Sequence, residues 1–220
     1  MMDLYPFWLS FKLAFITTVM LFFITLPIAW SLSQSRSRLK PFFEALFSLP
    51  IVLPPSVIGF YMLIFLSKNS AFGSFFADLN IDLAFSFTGI VIASLIYSFP
   101  FMLQPLQSGF ESLNRSMIEA SFVAKKSSWT TLIKVALPNI KPSLISAIVI
   151  TFAHTVGEFG VVLMVGGSIP HETRVASVAI YDLVEQMEYH QAHIYSALML
   201  FFSFLVLLLV YISNKRFKLL

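Results

Sequence analysis

Cysteine is absent from the 220 residues, which excludes disulfides and thiolate metal sites. Charge is scarce as well. Asp, Glu, Lys and Arg supply 11% of the chain, where a soluble domain carries about 25%. No Gly-Lys dipeptide occurs, so the loop that cradles nucleotide phosphates with backbone amides and a lysine has no place here. The opening Met1-Met2-Asp3-Leu4-Tyr5-Pro6 lacks the basic region and cleavage site of a secretory signal, so the first apolar stretch is expected to remain as a membrane helix. Apolar residues are what the chain has in excess. They make up 58% of it, and mean hydropathy is +0.85. That leaves too little polar surface to coat a water-exposed globule, and the bilayer is the natural solvent.

A spanning helix needs about 20 mostly apolar residues. Five segments qualify: 7–32, 43–67, 84–109, 141–165 and 194–213. The second is expected to be interrupted by Pro50, Pro54, Pro55 and Gly59, and the third by Pro100 and Pro105. Broken helices persist at membrane depth only where protein or water surrounds the break. The first and fifth are uniformly apolar and end in aromatic belts, Trp8/Trp30 and Tyr195/Tyr211, so both are expected at the lipid-facing periphery. The expectation is an all-α integral membrane protein forming one transmembrane domain over 1–220.

Lysine and arginine set the orientation. Arg36, Arg38, Lys40, Arg115, Lys125, Lys126, Lys134, Lys141, Lys215, Arg216 and Lys218 fall on one side, and Lys12, Lys68 and Arg174 on or near the other. The N-terminus is therefore expected outside, the C-terminus in the cytoplasm, with 110–140 a cytoplasmic loop and 166–193 an outer one. Topology alone accounts for the pI of 9.2, and nucleic acid is not needed.

The 110–140 loop is too polar to span and too amphipathic for a plain linker. Ser116 and Glu119 have capping-box spacing at the head of a short helix bearing Met117, Ile118, Phe122 and Val123. Ser127 or Ser128 can cap a second, with Trp129, Leu132, Ile133 and Ala136 at helical spacing and Leu137-Pro138 at its end. Glu119-Ala120-Ser121, three residues, Lys125, nine residues, then Val135-Ala136-Leu137-Pro138 resembles the EAA loop of ABC-importer permeases, whose pattern is EAA, three residues, Gly, nine residues, Ile-x-Leu-Pro. In that family the loop forms coupling helices seated in a cleft of a cytoplasmic ATPase. The resemblance makes Glu119, Ala120, Ser121, Lys125, Trp129, Leu137 and Pro138 the coupling candidates. Lys125 departs from the family's Gly. A left-handed turn there costs lysine roughly 1–2 kcal/mol, unless the turn takes another shape.

In the fourth span Thr151, His154, Thr155 and Glu158 fall at i, i+3, i+4, i+7, a polar stripe on an apolar helix. Ionisable groups in a span face a cavity or a partner, and His154 and Glu158, four apart, can neutralise each other. The stripe either lines a path or dimer axis, or fixes helix packing. A dianion is repelled by a bare carboxylate, so Glu158 suits a gate or packing role. Thr151 and Thr155, with Ser94, Ser98 and Ser56, are the candidate transient contacts. Gly157-Glu158-Phe159-Gly160, then Gly166-Gly167-Ser168-Ile169-Pro170 and Glu172-Thr173-Arg174, resembles molybdate-type permeases, as does Leu49-Pro50-Ile51-Val52-Leu53-Pro54-Pro55. Sulfate-type permeases share a related Gly-Glu-aromatic-Gly segment. Residues 174–188 fit a helix lying on the outer face. His190 and His193 lack a third ligand and are expected as solvated loop histidines.

The resemblance implies a type I ABC importer permease fold and an ATP-driven importer of molybdate or tungstate in a bacterial or archaeal inner membrane. It implies a homodimer, two ATPase subunits below and an oxyanion-binding protein above. This chain is expected to hold no cofactor and no catalytic or metal site, with ATP and Mg on the partner ATPase. A sulfate or thiosulfate permease is the nearest rival. A secondary transporter needs internal repeats, which are not evident, and a membrane enzyme needs a third partner for His154 and Glu158.

Overall fold

The computed structural model describes residues 3–217. Lys218 lies outside them. Twelve α-helices and one π-turn account for the ordered backbone of these residues, and no strand occurs among them.

Helix α1 (Tyr5–Gln34) starts on Pro6, whose missing amide costs nothing in a first turn, and ends where Ser35 turns extended. It packs along α5 (Phe87–Glu111) and α9 (Lys141–Val156), burying Leu9, Leu13, Ala14, Thr17, Leu21 and Ala29. The expected peripheral role of this helix is therefore corrected: α1 is part of the core. Trp30 is likewise buried at 6% exposure and sits edge-on against Phe110, with centroids 5.3 Å apart, in place of a lipid belt. Trp8 does face outward. The last helix, α12 (Tyr189–Phe217), is peripheral as expected, with Leu200, Phe201, Phe204 and the belt residue Tyr211 exposed, but Tyr195 is buried against Phe7 in place of a lipid belt.

The second span breaks where its prolines predict. Leu53 and Pro54 each precede a proline, which drives both out of the helical region, and α2 (Lys40–Val52) meets α3 (Pro55–Leu66) at 105°. Pro50 and Gly59 lie inside their helices without interrupting them. The third span differs from expectation, for α5 runs unbroken through Pro100 and Pro105. Flanking contacts with α1 and α9 outweigh one lost intrahelical bond at each proline. The fourth span is the one that breaks. Its first part is α9, its second is α10 (Gly160–Gly166), and Gly157, Glu158 and Phe159 form the interruption. Ser70 caps the short α4 (Ala71–Asp78), accepting from Gly73 at 2.8 Å. Helix α11 (Ala176–Glu185) forms within 174–188 as predicted, and its first amide is held by Ser10 of α1 at 2.8 Å. Three described helices are long and apolar enough to cross a membrane, or five spans if Lys40–Val52 with Pro55–Leu66, and Ser128–Asn139 with Lys141–Val156, bent by 86°, each count as one.

Between α5 and α9 the chain folds as α6 (Arg115–Val123), α7 (Ser128–Thr131), a π-turn over Leu132–Ala136 and α8 (Leu137–Asn139). Asn114, not Ser116, caps α6: its Oδ1 accepts from the Ser116 amide at 3.0 Å and the Ser116 hydroxyl at 2.8 Å. The capping box does not form, because Glu119 turns to Arg115, 3.2 Å away on the same helix face. Ser127 caps α7 as expected, accepting from Thr130 N at 3.1 Å. Helix α6 closes with Lys126 N donating to Ser121 O and Lys125 N to Phe122 O, the paired bonds of a left-handed helix end. Lys125 sits at φ 58, so the turn suited to glycine is kept despite the lysine.

Two outcomes follow from this packing. Gly59 of α3 lets α10 come close: a Cβ there falls 2.6 Å from Met164 Cβ and 3.3 Å from the Val161 backbone. Gly59→Val is expected to destabilise the fold by about 1–3 kcal/mol, read as a lower midpoint in thermal unfolding, whereas Gly157→Ala, whose Cβ meets nothing nearer than 3.6 Å, leaves the midpoint close to wild type. Lys125→Gly removes left-handed strain of about 1 kcal/mol but adds unfolded-chain freedom, so its midpoint is expected within about 2 °C of wild type; a large fall would mean that the lysine side chain holds the turn.

Candidate functional site

Two constellations bring the sequence candidates together. The first is a polar seam between α5 and α9. Ser98 and Thr155 share a hydrogen bond of 2.9 Å, Thr155 also donates to Thr151 O at 2.9 Å, and Ser94 donates to Glu158 Oε2 at 2.8 Å. Ser94, Ser98, Thr151, Thr155 and Glu158 are all buried, so within one chain the seam is closed. Glu158 is 3% exposed, and its other carboxyl oxygen, Oε1, has no partner among the described residues. A buried polar atom without a partner is costly.

The expected neutralisation of Glu158 by His154 does not form. Helix α9 ends at Val156, so Glu158 lies past its last turn and the i,i+4 geometry is lost. His154 instead packs among aromatics, its ring 3.8 Å from that of Phe101 and 4.9 Å from that of Tyr97 between centroids. The break is tied on the other side by Ser177 of α11, which donates to the Glu158 carbonyl at 2.5 Å. Glu158 thus joins three elements: its side chain reaches α5, its backbone reaches α11, and it separates α9 from α10. The break in the second span lies against this one, since a Cβ on Gly160 falls 2.7 Å from Pro55 Cβ. Ser56 is exposed next to that contact and takes no part in the seam.

The second constellation is the α6–α8 loop. Its root is buried: Ile118, Ser121, Thr131, Leu132 and Ala136 pack with Trp30, Leu106, Phe110 and Ile140 at the ends of α1, α5 and α9. Trp30 Nε1 donates to Ser128 Oγ at 3.0 Å, and Ser121 and Thr131 share a 2.8 Å hydrogen bond that clips α6 to α7. Its crest is apolar and exposed, with Val123 at 83% and Trp129 at 58% beside Met117, Phe122 and Ile133. Of the coupling candidates, Glu119, Ala120, Lys125, Trp129 and Pro138 lie on the exposed side, Leu137 is half-buried and Ser121 belongs to the root. Exposed aromatic and aliphatic side chains on a non-spanning, rigidly rooted loop are the makings of a docking surface.

Sequence reasoning missed two polar clusters. Between α2 and α5, Lys40 Nζ lies 2.7 Å from Glu111 and 3.7 Å from Glu44, and Gln107 donates to Glu44 at 2.5 Å and to Glu111 at 3.0 Å. Glu44, Gln107 and Glu111 border a cavity of about 230 Å³. The signal was the i,i+4 spacing of Lys40/Glu44 and of Gln107/Glu111. In the 166–193 loop, Arg174 donates to Ser168 at 2.9 Å and pairs with Asp182 at 3.2 Å, while Ser168 donates to Asp182. Thr173 closes the same loop by donating to Gly166 O at 2.7 Å. His190 and His193 stand on the first turn of α12 and not in a loop.

The comparisons with known proteins agree with this geometry. The molybdenum transport system permease protein ModB of Azotobacter vinelandii is 46% identical over 217 residues, 98% of this chain and 96% of that protein. The sulfate transport system permease protein CysT of Escherichia coli K12 is 28% identical over 93% of this chain and 74% of that one. Among solved structures, a bacterial ABC transporter that imports the acidic polysaccharide alginate superposes at a TM-score of 0.77 with 15% identity, covering 97% of this chain and 79% of that one. An inward-facing MetNI methionine ABC transporter superposes at 0.73 with 16% identity, covering 95% and 93%. The match at residues 14–219 to the model described as "Binding-protein-dependent transport system inner membrane component" settles the kinship, and the chain belongs to that family.

Proposed function

We propose that this chain is the membrane-spanning subunit of an ATP-driven importer of molybdate, with tungstate as a chemically equivalent cargo. The observation that carries the cargo is the 46% identity to a molybdenum permease along almost the whole of both chains, well above the identity to the sulfate permease. The basic end of the bundle, with Arg36, Arg38, Lys40, Arg115, Lys125 and Lys126, is cytoplasmic by the positive-inside rule, which puts the N-terminus outside.

The chain works as one transmembrane permease domain, and two copies enclose the path. Two separate ATPase subunits, which carry ATP and Mg, sit under the α6–α8 crest, and an oxyanion-binding protein docks on the outer side near the Ser168–Arg174–Asp182 cluster. Glu119, Ala120, Lys125, Trp129 and Pro138 meet the ATPase. Ser121 and Leu137 hold those residues in place, because both lie on the buried side of the loop. Movement of the ATPases displaces the crest, the buried root passes that displacement to α1, α5 and α9, and the α5–α9 seam with its break at Glu158 is where the path changes access. His154, Thr151, Thr155, Ser94 and Ser98 belong to this gate region, and Ser56 lies beside the neighbouring break. No covalent chemistry is required of the chain. Weak, transient contacts suit a path that must release its cargo.

Trp129→Glu and Val123→Asp place charge on the exposed crest while leaving its root intact. In vesicles holding the full complex, uptake of labelled molybdate is expected to fall by tenfold or more at unchanged thermal stability, an effect of about 1.4 kcal/mol or larger on coupling; full uptake in both variants would remove the docking role. Glu158→Gln keeps the size of the side chain and its bond to Ser94. It is expected to change the transport rate or the basal ATPase severalfold with unchanged affinity for the loaded binding protein, and a wild-type profile would reduce Glu158 to a packing residue. Uptake of labelled molybdate in the presence of excess sulfate tests the cargo: sulfate is expected to compete weakly, and strong competition would favour a sulfate permease.

A further inference from the structure

Helices α1, α2 and α5 border two cavities that the transport reading leaves unused, the second of them closed also by the start of α6. The first, of about 340 Å³, is a purely apolar crevice lined by Leu21, Leu46, Phe47, Leu95, Ile96 and Phe99. Leu46 and Ile96 are exposed at its mouth. The second, of about 360 Å³, lies at the basic end of the same helices and is polar. It is lined by Arg36, Lys40 and Arg115 with the hydroxyls of Ser33 and Ser35, against a single carboxylate, Glu111. Lys40 is held by Glu111 and Arg115 by Glu119, but Arg36 has no ion-pair partner among the described residues.

The spacing of the two cavities is informative. Nine residues separate Ile24, on the crevice, from Ser33, on the basic pocket, and six separate Lys40 from Leu46. At 1.5 Å per residue these are roughly 9–14 Å along the helix axes. Half the hydrocarbon thickness of a bilayer is about 15 Å. A charged pocket and an apolar crevice so offset match the two ends of one phospholipid. The phosphate of a headgroup meets arginine and the Ser35 hydroxyl, and an acyl chain lies in the crevice against the packed Phe47–Phe99 pair, whose ring centroids are 5.1 Å apart. Inner-leaflet lipids are rich in negative charge, and basic pockets between spanning helices on that side suit them.

We infer that α1, α2 and α5 form a binding site for one anionic phospholipid of the cytoplasmic leaflet, its phosphate at Arg36 and its acyl chain in the Leu46–Ile96 crevice. The leaflet assignment rests on the orientation given above, while the site itself rests on the two cavities. The lipid braces the hinge side of the α2–α3 elbow against α5 and so stiffens the bundle next to the root of the α6–α8 loop.

The test is thermal unfolding of the full chain in nanodiscs of phosphatidylglycerol and of phosphatidylcholine. The expected midpoint is higher in phosphatidylglycerol by roughly 2–4 °C, about one phosphate contact for a chain of this size. Arg36→Gln is expected to abolish most of that gap, Arg36→Lys to keep much of it, and Ile96→Trp, which fills the crevice, to narrow it with Arg36 intact. An unchanged gap in Arg36→Gln would overturn the site. A gap reproduced in phosphatidylcholine by inorganic phosphate would overturn the lipid in favour of a free-anion pocket. Disulfide cross-linking of Leu46→Cys between two copies would overturn it too, since a second copy would then cover the crevice. Thiol labelling of Arg36→Cys from outside intact cells would instead contradict the orientation alone, because nanodiscs have no sidedness and the gap is read independently of it.

Discussion

The loop between α5 and α9 is anchored in the helices that cross the bilayer, and the rest of the account depends on that anchorage. Trp30 is buried at the end of α1, meets Phe110 of α5 edge-on and donates to Ser128 at the start of α7. Ile118, Leu132 and Ala136 close the same cluster from the loop side. A buried indole whose N–H is satisfied both packs and orients. The crest is consequently an extension of the bundle, and force applied at Val123 or Trp129 has a rigid route to α1, α5 and α9. A loop linked only through its chain ends would bend and transmit nothing.

At the far end of that route two of the spans are interrupted, at Leu53–Pro54 and at Gly157–Phe159, and the helices that follow the breaks touch each other through Pro55 and Gly160. Glu158 bridges to α5 by its side chain and to the outer helix α11 by its carbonyl. A displacement of α11 and a displacement of α9 therefore meet at one residue, whose spare carboxyl oxygen is free to take a different partner in another arrangement. Small residues support this design. Gly59 and Gly160 let the broken segments approach to distances that a side chain would forbid.

Much of this was legible in the residues, and the failures have identifiable physical causes. The proline pair fixed the elbow in the second span because two consecutive pre-proline positions leave no helical option. The cap at Ser127, one of two serines that could supply it, followed from local hydrogen-bond rules that tertiary packing did not contest, whereas the residue at 125 left the turn open between a left-handed form and another shape. Pro100 and Pro105 misled because a proline costs one bond while a helix packed on both flanks has many contacts to set against it. The Glu158 break was hidden because the i, i+3, i+4, i+7 spacing of its stripe is equally compatible with a helix that ends at Val156. Trp30 was read as a lipid anchor because sequence periodicity cannot say which of two apolar environments, lipid or protein, receives a tryptophan. The Lys40–Glu44–Gln107–Glu111 cluster needed the topology first, since it joins two helices far apart in the chain.

The central claim is that an ATP-hydrolysing partner sits on the exposed crest of the α6–α8 loop. Site-specific photocross-linking from position 129 in native membranes, followed by identification of the captured protein, tests it most directly. The account predicts a single major adduct with a soluble ATPase, lost when ATP-driven transport is uncoupled from the membrane. Adducts with lipid alone, or with proteins that bind no nucleotide, would contradict it.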